Sequence, residues 1–158
     1  MENTENRLNN DKRVAPFFLY AVLLWPAVRA QFNNLNQSFA APTEAMDQAG
    51  QLTLERQCAL ILIPKRFSFP MQDMWRLQVL LENRQPGRAR RTLGQDNFRA
   101  AYDLLLLRES SGEALGGLGE WWTEFQSNEI AESSDEAPKP AEKKPRRRRR
   151  SRPRSGKD

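Results

Sequence analysis

Apolar residues recur at helical spacing along most of this chain. Over residues 70–84, Met71, Met74, Trp75, Leu77 and Leu81 return at three- and four-residue intervals, which sets them on one face. Gln72, Asp73, Arg76 and Asn83 fall on the other face. Pro70 suits the first turn, because its missing N–H has no partner there anyway, so the pattern predicts a helix beginning at Pro70. A second pattern covers residues 97–109, with Asp96 as a candidate N-cap. Phe98, Ala101, Tyr102, Leu105 and Leu106 form one apolar sector, and Ala100, Leu104 and Leu107 carry it nearly all round. Only Arg99 and Asp103 read as wet. A helix apolar on most sides is buried among others, so 97–109 is expected to be the central helix of a small bundle.

Three further helices are predicted. Residues 14–30 begin with an apolar run that ends at Trp25, is followed by Pro26 and is closed by Arg29. A membrane span needs about 20 apolar residues, so this run is too short. Acids in the leader and a poor cleavage site argue against a signal peptide. A buried helix over 16–25 is the better reading, with Pro26 kinking it or starting the next. Pro42 opens a second helix reaching about Leu62, where Ile63-Pro64 stops it. Gly50 inside it costs about 1 kcal/mol against Ala. Residues 113–126 place Leu115, Leu118, Trp122 and Phe125 on one face, with Trp121 beside them. Gly116, Gly117 and Gly119 weaken this helix, so it should form only by docking its aromatics. Packing is the main reading of those aromatics, and base stacking the lesser one. The fold class is therefore all-α: an irregular bundle of about five or six helices over 14–126. Residues 1–13 make a flexible lead-in. Residues 127–158, acidic and then Arg-rich, hold no core material and are expected to be a disordered tail.

Charge sharpens this division. The formal net charge of the 158-residue chain is +5, but residues 143–157 hold ten of its 25 Lys/Arg and no acid. The remainder is left with 15 bases against 20 acids. The basic character therefore belongs to the tail. One cysteine, Cys58, cannot form an internal disulfide and reads as a small buried hydrophobe. There is no histidine, which removes Ser/His and Cys/His triads and the common zinc patterns. No phosphate-binding Gly-rich loop or paired metal carboxylates stand out. No catalytic or metal site is expected, and a cytoplasmic protein is.

What remains is electrostatic. Lys143, Lys144, Arg146, Arg147, Arg148, Arg149, Arg150, Arg152 and Arg154 form a polycation suited to phosphate. Lys65, Arg66, Arg84, Arg88, Arg90 and Arg91 are candidates for a second patch on the body; Arg84 to Arg91 read as a Pro/Gly-marked loop. RNA or DNA is the expected partner, met without strong sequence preference. Solvated loop charges, a solubilising tail and contact with acidic lipid are the plainer readings.

Several segments resemble the C-terminal part of the bacterial poly(A) polymerase family, within the tRNA nucleotidyltransferase/poly(A) polymerase superfamily. They are Ala15-Pro16-Phe17-Phe18-Leu19-Tyr20-Ala21 with Leu24-Trp25-Pro26, then Ile63-Pro64-Lys65-Arg66, then Trp75-Arg76-Leu77-Gln78. The most specific are Asn97-Phe98-Arg99-Ala100-Ala101-Tyr102-Asp103-Leu104-Leu105-Leu106-Leu107-Arg108 and Trp121-Trp122-Thr123-Glu124-Phe125-Gln126. The resemblance spans most of the chain beyond its first dozen residues. It implies RNA binding along the body, with the Arg-rich C-terminus aiding engagement of RNA or a partner. The full family enzyme uses ATP and magnesium, held by an N-terminal head with a Gly-Ser element and an acidic metal pair, to add adenylates to RNA 3′ ends. That head has no counterpart here, so no cofactor and no transfer activity are expected of this chain by itself. A truncated, split or complete gene product stays open, as do two rivals: a free-standing RNA-binding accessory protein, and an interaction module whose basic tail docks acidic partners.

Overall fold

A computed structural model describes residues 15–135, and side chains up to residue 132. Among these residues there are six α-helices: α1 (Pro16–Leu35), α2 (Pro42–Cys58), α3 (Lys65–Leu81), α4 (Pro86–Leu93), α5 (Phe98–Ser110) and α6 (Leu118–Asp135). No strand occurs among the described residues. The lead-in, and the tail from residue 136 onward, lie outside them.

α1 and α2 pack on each other and both pack on α3, which also packs on α4 and α5. The hub is therefore α3 rather than the 97–109 helix, which lies between α3 and α6. Met71, Met74, Trp75, Leu77 and Leu81 are the buried stripe of α3, as its periodicity requires. The fully buried Trp75 sends its indole N–H to the Ala21 carbonyl of α1 (3.0 Å). Trp122 of α6, also fully buried, does the same for the Leu81 carbonyl at the end of α3 (2.8 Å). That carbonyl is among the last-turn acceptors a helix leaves without a partner. Each tryptophan thus adds apolar area and pairs its buried indole N–H with a backbone carbonyl of another helix.

Gly50 has a packing reason. A Cβ there would stand 3.0 Å from Cε3 of Trp75, so glycine lets α2 approach α3 closely. The helix pays about 1 kcal/mol in propensity for that contact.

Local boundaries differ from the sequence expectations in instructive ways. α1 continues through Pro26 to Leu35 as one helix. Pro26 lies on the exposed side, where water can serve the carbonyl that loses its partner. α3 starts at Lys65 and takes Pro70 into its interior, only five residues from its start. α2 ends at Cys58 rather than Leu62. The chain unwinds there, leaving Leu62 92% exposed and Cys58 exposed, not buried as expected. Asp103 is 5% exposed rather than wet, and pairs with Arg99 (3.5 Å).

Two differences bear on function. The basic stretch expected as a loop forms the helix α4. Pro86 opens it, Ala89 and Thr92 are buried, and arginine is a good helix former. Residues 113–117 form a turn instead of helix, because Gly116 and Gly117 take left-handed backbone angles (φ +63° and +68°). α6 begins at Leu118, its Gly119 N–H donating to Glu109 of α5 (3.0 Å). It runs on to Asp135, well past the expected end at residue 126.

Candidate nucleic-acid interface

The six basic candidates on the body fall into separate groups. α3 rises about 1.5 Å per residue, so its 17 residues put roughly 24 Å between Lys65 and Leu81 at its end. Lys65 and Arg66 therefore sit at one pole of the bundle, and Arg84, Arg88, Arg90 and Arg91 at the other. Lys65 and Arg66 are exposed, and the Arg66 guanidinium lies 4.9 Å from the Phe67 ring.

At the second pole the four arginines have different duties. Arg84 donates to the Gly116 carbonyl (2.6 Å) and so braces the α5–α6 turn. Arg90 pairs with two acids of α6, Glu129 (2.7 Å) and Glu132 (2.9 Å). The hydrogen bond Arg90 donates to Glu129, with the Glu129 charge and then that of Glu132, raises the Arg90 pKa above its ordinary value. These pairs help hold the acidic extension of α6 in helix. They also turn Arg90 towards protein acids. Arg88 and Arg91, three residues apart, lie on one side of α4 and are exposed. Neither has an acidic partner among the described residues.

Arg88 and Arg91 overlook a groove of about 720 Å³. Its apolar wall is Phe32 of α1 with Val79 and Leu80 of α3, all half-buried. Its polar rim carries Glu82 and Asn83 after α3, and Gln95 after α4. The groove exists because three chain segments meet there: the end of α1, the end of α3, and α4. Phe32, Asn83 and Gln95 carried no sequence signal, because nothing local in the chain marks them as neighbours of an arginine pair.

A second constellation also escaped the sequence reading. Arg108, 6% exposed, donates from Nε to Glu113 (2.9 Å) and from Nη1 to Gln78 Oε1 (3.0 Å). Its guanidinium lies 4.6 Å from the Trp25 ring. Gln78 in turn donates to the Ala101 carbonyl (2.8 Å), and Glu113 also pairs with Arg29 (2.7 Å). The network joins α1, α3, α5 and the α5–α6 turn, and its members satisfy one another. It is a structural tie rather than an open site.

The aromatics of α6 are largely packing groups. Trp122 is fully buried, edge-on to both Trp121 and Phe125. Trp121 and Phe125 stack on each other (centroids 5.1 Å apart, planes 8° apart) and are half-buried. At the first pole, Leu19, Leu23, Leu60, Leu62 and Phe69 are exposed. Lys143 to Arg154 lie outside the described residues. No helix among the described residues is long and apolar enough to cross a membrane.

Among the described residues the fold is an all-helical body with two exposed arginines on the lip of a groove. Residues 38–155 match the family described as "Polymerase A arginine-rich C-terminus", and the chain belongs to that family. It is 36% identical to Poly(A) polymerase I of Salmonella typhi over 163 residues, covering 98% of this chain and 34% of that protein. It is 38% identical to Poly(A) polymerase I of Escherichia coli O6:H1 over 130 residues, covering 80% of this chain and 28% of that protein. The Haemophilus influenzae enzyme of the same name is 31% identical over 159 residues, covering 94% and 35%. The chain thus spans about a third of the length of the curated relatives it matches.

Proposed function

We propose that this chain is the RNA-binding C-terminal region of a poly(A) polymerase. It supports adenylate addition to RNA 3′ ends, and so RNA processing and decay in the cytoplasm, without carrying out transfer itself. The observation that carries this reading is the exposed Arg88/Arg91 pair on the lip of a groove, in a member of the arginine-rich family. Two guanidiniums with no ion pair to an acid among the described residues present forks suited to phosphate oxygens. The basic residues 143–154 add tethering charge along the same strand. The head that would supply ATP and magnesium chemistry is a partner or a preceding domain. The exposed Leu19, Leu23, Leu60, Leu62 and Phe69 support a contact with it at the first pole.

The test is filter binding of the full chain to single-stranded RNA across a salt series. Each phosphate contact contributes about 0.7 to the logarithmic salt slope for single strands. Arg88→Ala/Arg91→Ala should lower the slope by about 1.4, and deleting residues 143–157 should lower it further. A slope unmoved by both changes would remove arginine–phosphate contact from the function. Incorporation of AMP from ATP by the chain alone would overturn the non-catalytic part.

A further inference from the structure

We propose that the groove between the end of α1, the end of α3 and α4 seats one unstacked nucleotide, its base against Phe32 and its phosphate on Arg88 and Arg91. This rests on the RNA reading and adds to it a defined subsite and a base preference. Three observations converge. The volume, about 720 Å³, lies within the range of sites that enclose small organic ligands, and a single nucleotide fits it. The wall is an aromatic ring backed by Val79 and Leu80, which suits the face of a base and offers nothing to a hydrated ion. The lip holds two exposed cations about one helical turn apart, forks suited to a backbone phosphate.

The rim adds selectivity. The Glu82 carboxylate offers hydrogen-bond acceptors to the groove. The Asn83 side-chain oxygen already accepts from the Gln85 N–H (2.9 Å), so its amide nitrogen is what remains to donate. A carboxylate beside a base favours exocyclic amino groups and penalises a carbonyl at the same edge. Adenine and cytosine carry such an amino group on the pairing edge, and uracil does not. An amino group for Glu82 beside a ring nitrogen for the Asn83 amide matches adenine and cytosine, whereas uracil sets a carbonyl where Glu82 needs a donor, so the groove prefers an amino-bearing base. A simple polyanion site has no reason to make that distinction.

The experiment compares the full chain with Phe32→Leu, Glu82→Gln and Arg88→Ala/Arg91→Ala. The ligands are short oligoadenylate, oligouridylate and an abasic sugar-phosphate strand of equal length, with polyglutamate as competitor. Phe32→Leu keeps most of the apolar volume, and Glu82→Gln changes only an exposed group, so at least one variant keeps its native melting temperature. Loss of the ring should weaken oligoadenylate about tenfold, the scale of one aromatic–base stack, and leave the abasic strand unchanged. Glu82→Gln should shrink the adenylate-over-uridylate preference. The arginine pair should weaken all three strands. The groove proposal is overturned if the native chain binds the abasic strand as well as oligoadenylate, if neither Phe32→Leu nor Glu82→Gln alters base preference, or if polyglutamate displaces oligoadenylate equally from native and Phe32→Leu chains. In those cases RNA binding itself still stands. No binding of any strand in dilute buffer removes the RNA reading as well.

Discussion

Replacing Arg108 by methionine should cost this fold about 3 kcal/mol. Methionine fills much of the same space but has no donor. Breaking a buried pair from one side costs about 3–5 kcal/mol, since the other partner stays behind. Two features of the site set the lower end. Glu113 keeps its contact with Arg29 (2.7 Å), and its side chain is 15% exposed, so its charge is not wholly orphaned. Gln78 Oε1 is less fortunate, because Gln78 is 1% exposed and Arg108 is the donor it faces. An acceptor left unsatisfied in the core costs about 1–3 kcal/mol. For a domain of this size about 4 °C accompanies each kcal/mol, so the melting temperature should fall by about 12 °C. Urea unfolding gives the free energy directly. Arg108→Met/Glu113→Met should cost clearly less than the two single changes together, with a coupling of about 1–2 kcal/mol, because the double variant leaves no charge stranded between them. A loss below about 1 kcal/mol for Arg108→Met, or strict additivity of the pair, would show that the network carries no such weight.

Three other outcomes are expected. Gly50→Val should lose about 2 kcal/mol in urea unfolding, since a Cβ already meets Trp75 at 3.0 Å and overpacking costs about 1–3 kcal/mol; Gly50→Ala should lose less, because better helix propensity offsets about 1 kcal/mol. Arg90→Ala should leave global stability nearly unchanged, as loss of an exposed pair does, yet hydrogen exchange should quicken at residues 127–132, where α6 loses its link to α4. Asp47 has a raised carboxyl pKa: burial is the main cause, Arg76 opposes it, and Asp73 and Glu44 add to it. A raised acid binds its proton more tightly in the folded state, so this group makes the fold slightly less stable as pH rises through its pKa. Asp47→Asn should therefore melt slightly higher at pH 7, with the gap closing towards pH 4; a gap that widens on acidification would contradict the assignment.

By itself the sequence determined the fold class, most helical faces and the family. Period-3.6 spacing reports which side of a helix is apolar, and that information is local. It marked the stripe of α3 from Met71 to Leu81 and the buried sector of α5 from Phe98 to Leu105. The run of basic residues between Arg84 and Arg91 was equally plain. Tertiary structure decided what each of those residues faces. A fold positions side chains by contacts between elements far apart in the chain, and such contacts leave no periodic trace. Arg90 meets Glu129 and Glu132 some forty positions away, so only Arg88 and Arg91 remain facing the groove. Phe32 reaches that groove because α1 and α3 end at the same pole. Arg108 is buried because Gln78, Glu113 and Trp25 converge on it. Gly50 and Pro26, read locally as weak points, are tolerated by their surroundings: one makes room for Trp75, and the other lies on the exposed side of α1.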